Sequence, residues 1–375
     1  MGQTRPVNRR RQSAPTGEDM KAVFNTNQGL SAALLTVALI AAASLAAQTP
    51  ASQSPAQPSP AAQTSQPTAQ ATPAQQPVEE PAKKALKDHA EYDAYASAVK
   101  IKDPAERATA LEAFAQKYPR SVALAQALTE ALAAWQEAGN RDQVVDAARR
   151  LLVAQPANIR AMAIVVALDR AKAAQLDHVD AGLLNEICQF STGGLNQLPI
   201  WQKPAGMTDA QFTALRNSMT VIFNAGAGTC ALSQNDLAKA RETLAQAVAI
   251  DSTDLQSLWQ LSITDLESRP VDANGFWYCA RAIAIAKRGQ NQPAADTAIN
   301  YCNQKYTAYH GAPDGWDPIL VAAQSQDAPP PGFAKLITPS ENPNSMNTPT
   351  EPARNLLPQP ATPAAQPATQ TPPQP

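Results

Sequence analysis

Histidine is scarce in this chain. His89, His178 and His310 are the three in 375 residues, and no two stand at metal-ligand spacing. The four cysteines, Cys188, Cys230, Cys279 and Cys302, form no C-x-x-C pair, which removes the zinc and haem-attachment signatures. A Cys188–His178 nucleophile pair lacks an orienting third group and oxyanion donors. Gly226-Ala227-Gly228 is no phosphate loop, because no strand precedes it and no Gly-Lys-Ser/Thr follows. Charge of one sign is also lacking. A net charge of −2 gives no electrostatic reason to expect nucleic acid or an anionic membrane surface as partner. Convincing runs of alternating β-branched residues are missing, which argues against strands. These gaps predict a non-enzymatic chain with no catalytic residue, no metal site and no cofactor.

Proline is plentiful but avoids the middle. Eight of the 33 fall in residues 50–81, fourteen in 329–375 and two before residue 20, leaving nine for 82–328. The folded part is therefore expected over residues 82–328, long enough for a sizeable core. Leu30 to Ala47 holds no charge and follows Arg5, Arg9, Arg10, Arg11 and Lys21. Ser44-Leu45-Ala46 has the small-x-small form of a cleavage site, so residues 1–47 read as an export signal, starting at Met1 or at Met20. The alternative is a retained N-terminal anchor, since an eighteen-residue apolar run is at the lower limit for spanning. Both readings export the remainder, to the periplasm or to the periplasmic face of an inner membrane. Membrane contact is expected only through residues 30–47. Residues 48–81 and 329–375, rich in Pro, Ala and Gln, are expected to be a disordered linker and tail.

The middle is helical by pattern. In "NDLAKARETLAQAVAIDSTD", Leu237, Ala240, Leu244, Ala247 and Val248 recur at helical spacing, with Asn235 as the expected cap. Asp103-Pro104-Ala105-Glu106 and Thr208-Asp209-Ala210-Gln211 carry the start signals of two more helices. The fold class is all-α. Phe190 to Met207, containing Gly193-Gly194 and Trp201, reads as an irregular insertion over about 190–207. Trp201 is expected either to pack over the helices or to contact a ligand. A terminal hairpin is expected over 275–308, turning near Gln290, with a capping helix over 317–325.

The helices come in repeated pairs. Leu132 to Asn158 is a helix, a Gly-Asn turn, a second helix and a proline; Asn224 to Asp254 has the same plan. Aligned on Gly139 and Asn235, Trp135 matches Ala231, Val144 matches Ala240, Ala148 matches Leu244 and Pro156 matches Ser252. An earlier copy ends at Pro119, 37 residues before Pro156. These residues resemble the tetratricopeptide-repeat (TPR) family, whose unit is roughly 34 residues. Gly228 and Ala240 fit its small helix-contact positions, Trp135 its first-helix aromatic, and Pro156 its closing proline. Leu132, Val144 and Ser252 depart from it, standing where glycine, alanine and proline are usual. The resemblance is clearest over 121–158 and 221–254, fair over 88–120 and weak elsewhere. Gly275 to Cys302 and Tyr309 to Gln324 also look similar to stretches of exported bacterial repeat proteins.

The resemblance implies a solenoid of antiparallel helix pairs whose first helices line a concave groove. Gln126, Thr129, Ala133 and Gln136 would line it in one unit. Ile222, Ala225, Thr229 and Leu232 would line it in another. So mixed and weakly charged a surface suits an extended peptide or a partner helix. The alternative function is a structural spacer or scaffold in the cell envelope, self-associating through its ends. Export also makes disulfides possible. Cys279 and Cys302 are placed symmetrically about the turn near Gln290, so antiparallel helices bring them to one height. They form a bridge if both face the partner helix, and are two buried thiols otherwise. Cys188–Cys230 would be the other pairing.

Overall fold

Short polar side chains start most of the helices. Asp103 accepts a hydrogen bond from the Glu106 backbone N–H at 2.9 Å, with Pro104 in the first position, where its missing N–H is no loss. Thr208 and Gln211 form a reciprocal capping box, Gln211 N–H donating to Thr208 Oγ1 and Thr208 N–H to Gln211 Oε1. Asp or Asn plays the same part at Asp88, Asn140, Asn158, Asp254 and Asn291.

The computed structural model describes residues 88–176 and 179–340. Among these it holds twelve α-helices and no strand. They are α1 His89–Val99, α2 Pro104–Lys117, α3 Leu124–Glu137, α4 Arg141–Ala154, α5 Ile159–Ala173 and α6 Ala181–Gln197. Then come α7 Asp209–Ser233, α8 Leu237–Ile250, α9 Leu255–Glu267, α10 Asn274–Arg288, α11 Gln292–His310 and α12 Trp316–Ala322. The export or anchor segment over 1–47, the linker over 48–81, the tail beyond residue 340 and His178 lie outside the described residues. No helix of the described residues is long and apolar enough to cross a membrane.

The described helices fall into two compact units, residues 88–252 and 253–340. In the first, each helix packs on the next in chain order. Polar side chains also tie alternate helices. Tyr95 on α1 donates to Glu130 on α3 at 2.7 Å. Arg150 on α4 pairs with Glu112 on α2 at 2.6 Å, and Arg149 on α4 with Glu186 on α6 at 2.7 Å. Arg170 on α5 donates to Thr229 on α7 at 3.2 Å. Gly139 and Asn235, the two aligned turn residues, both take positive φ (71° and 59°). Asn235 is therefore the turn residue and not the cap. The cap is Asp236, which accepts from the Lys239 N–H at 3.0 Å.

The expected irregular insertion over 190–207 is corrected for residues 190–200, while 201–207 are irregular. Helix α6 runs through Phe190 to Gln197, and a short 3-10 turn, Leu198–Ile200, follows. Gly193-Gly194 is not a flexible loop. A Cβ on Gly194 would overlap the Phe223 ring, so the glycine is the space in α6 into which that ring fits. Gly226 on α7 plays the same part, lying against Ser191 and Val166.

In the second unit α10 packs with α9, α11 and α12. The hairpin turns at Gln290, with φ 54°, and α12 begins at Trp316 rather than at 317. The expectation of a disordered tail from 329 is also corrected. Residues 323–340 lie along α10 and α11. Phe333 and Ile337 are buried, and the Phe333 ring meets Trp277 nearly edge-on at 5.3 Å. Arg281, 1% exposed, donates to Ala323 O at 2.8 Å and to Asp327 Oδ1 at 2.6 Å. Ser340 N–H donates to Tyr309 O, and His310 Nδ1–H to Thr338 O at 2.8 Å. An aromatic ring and a buried guanidinium supply what the local composition lacks.

Candidate interaction surface

Helix α3 buries one face and leaves the other open. Ala127, Leu128, Ala131, Leu132, Ala134 and Trp135 point into the core. Thr129 and Ala133 are exposed, and Gln126 and Gln136 are half-buried beside them. At 100° per residue these four fall on one strip of small and amide side chains, about three turns long. The strip has a defined edge. Gln126 donates to Glu130 at 3.1 Å, and Glu130 also accepts from the Tyr95 hydroxyl. Burial first, and then this carboxylate, raise the Tyr95 phenol above its ordinary value. Further along the same edge Glu137 pairs with Arg107, whose guanidinium also donates to Ile101 O at 3.1 Å. The outward side of α5 carries a comparable strip of half-buried residues, Arg160, Ile164, Ala167 and Ala171. Burial lowers the Arg160 guanidinium below its ordinary value.

The second expected set does not line a surface. Ile222, Ala225, Thr229 and Leu232 are all buried, Ala225 at 0% and Thr229 at 1% exposure. The reason is packing on three sides. Helix α7 packs along α5, α6 and α8 together, so the face carrying these residues is covered. Thr229 accepts from Arg170 of α5, and Gly226 abuts Val166 of the same helix.

Trp201 packs within the chain. Its ring lies 5.1 Å from Phe212 on α7, nearly edge-on, and the Arg216 guanidinium stands over the Phe212 ring, 5.8 Å from its centroid. Both rings stay half-buried, and the neighbouring Ile200 is 68% exposed.

All four cysteines are paired. Cys188 on α6 joins Cys230 on α7, with Cα atoms 5.3 Å apart, and Cys279 on α10 joins Cys302 on α11 at 6.0 Å. The second bridge is sealed, both residues at 0% exposure, whereas Cys188 and Cys230 are half-buried. Among the described residues no three His, Cys, Asp or Glu side chains converge as metal ligands.

No family model, curated protein or solved structure matches the chain.

Proposed function

We propose that the chain is a non-enzymatic protein-binding module of TPR-like, solenoid type, and that the outward strip of α3 is its docking surface. The observation that carries this is the division of α3 into a packed apolar face and an open strip of Gln126, Thr129, Ala133 and Gln136. Nothing about the core requires that strip to be uncharged. A surface helix in a monomer ordinarily turns charged residues outward. Small and amide side chains instead allow a peptide backbone or a partner helix to approach closely and find hydrogen bonds. In a TPR-like stack the half-buried strip on α5 extends the same surface, and polar ties between alternate helices are what such stacking produces. The α7 positions play no part in this surface.

The same reading places the protein outside the cytoplasm, periplasmic or anchored by residues 30–47. Two disulfides among four cysteines support an oxidising compartment. The test is crosslinking in cells followed by mass spectrometry of what is captured. One dominant foreign protein joined to peptides of α3 or α5 is the expected result. Crosslinks only between copies of the chain would favour the self-associating scaffold and overturn the docking surface.

A further inference from the structure

One ionic cluster of the first unit plays no part in the docking surface. It joins α4, α5 and α6 at Arg149. Asp169 on α5, 1% exposed, places Oδ1 3.1 Å and Oδ2 3.0 Å from a single guanidinium nitrogen of Arg149. Glu186 on α6 places Oε2 2.7 Å from that same nitrogen and 2.9 Å from Nε. Asp146, one turn before Arg149 on α4, adds a third carboxylate at 3.2 Å. The buried carboxylate and its neighbour therefore stand against each other across one donor. Arg149 thus faces three carboxylates. The next residue after Asp169, Arg170, donates to Thr229 of α7.

Two carboxylates that share a site do not both ionise easily, and burial of one sharpens the conflict. We propose that Asp169, set beside Glu186 on the Arg149 guanidinium, holds a proton in mildly acidic surroundings, and that this proton is a pH-dependent latch closing the α4–α5–α6 junction. Burial, then the Glu186 contact, push the Asp169 carboxyl from 3.8 up to about 6, and Arg149 opposes that rise without cancelling it. The sign follows from linkage. The folded chain binds the proton at a pH where the unfolded chain has released it. Stability is therefore fully present at the acid end, is lost as pH rises between about 4 and 6, and reaches its lower level above the folded value. Most buried acids that pair with arginine behave in the opposite sense.

The experiment uses the full-length, disulfide-bonded chain. Denaturation is followed from pH 4 to pH 8, alongside Asp169→Asn and Glu186→Gln. The folded-to-unfolded ratio of the parent is expected to fall up to about a hundredfold between pH 4 and 7. Asp169→Asn is expected to lose this slope, and Glu186→Gln to reduce it. A parent whose stability is flat or rises over that window overturns the proposal, as does an Asp169→Asn chain with the parent's slope. Because Asp169→Asn could fail to fold, the Asp169 carboxyl carbon of the parent is also titrated by NMR. A midpoint near 6 supports the latch, and a midpoint at or below the ordinary aspartate value overturns it.

Discussion

Gly228 on α7 lies directly against Leu244 on α8. A Cβ added to Gly228 would overlap Leu244 Cγ and stand 3.1 Å from Thr243 Oγ1. Leu244 is fully buried and has no room to retreat. In an isolated helix Gly→Ala is worth about 1 kcal/mol of stabilisation. Here packing reverses that sign. Gly228→Ala is expected to lower stability by about 1–3 kcal/mol, through overpacking of the α7–α8 contact. Chemical denaturation decides it, and a neutral or stabilised variant contradicts the close approach.

The two disulfides differ in access, and therefore in order of reduction. With mild reductant and no denaturant, the half-buried Cys188–Cys230 bridge should open first, while the sealed Cys279–Cys302 bridge persists until its unit unfolds. Alkylation followed by mass spectrometry reads the order. Replacing Cys279 and Cys302 together by alanine is expected to cost about 3 kcal/mol, from the loop that the bridge closes.

Arg281 holds the C-terminal segment in place. Its guanidinium is the donor to both Ala323 O and Asp327, and the segment carries Phe333 onto Trp277. Arg281→Met keeps much of the packed volume but removes these donors. A loss of about 2–3 kcal/mol is expected, with faster proteolytic cutting within residues 323–340. Asp327→Asn, on the exposed side of the pair, should do much less.

How far the sequence reaches can be judged residue by residue. The helix starts at Asp103 and Thr208 were legible because capping is local chemistry, decided within three residues. The turn at Gly139 was legible for the same reason. What was not legible depends on partners distant in the chain. Gly193-Gly194 has the composition of a loop, and only the Phe223 ring, brought up by α7, makes it a helical contact. Phe333 and Ile337 stand in a proline-rich stretch, and the Trp277 surface that receives Phe333 is invisible from there. The expected groove on α7 failed because α5 covers the face that a repeat-based register leaves open. Arg170 and Val166 of α5 meet Thr229 and Gly226, and Ala225 and Thr229 turn inward. On α3, an ordinary fourteen-residue helix, the same register leaves Thr129 and Ala133 outside.

A charge set into the α3 strip should separate binding from folding. Thr129→Arg changes an exposed side chain, so stability should stay within about 0.5 kcal/mol. Capture of the crosslinked partner should fall at least tenfold. Retained capture with normal stability would remove Thr129 from the surface.

The most direct measurement is site-specific photocrosslinking in cells, with the reactive group placed in turn at Thr129, at Ala133 and, as a comparison, at the exposed Val321 of the other unit. One foreign protein is expected to be captured from Thr129 and Ala133 and not from Val321. Capture from Val321 alone, or no adduct from the α3 strip except a second copy of the chain, would contradict the docking surface.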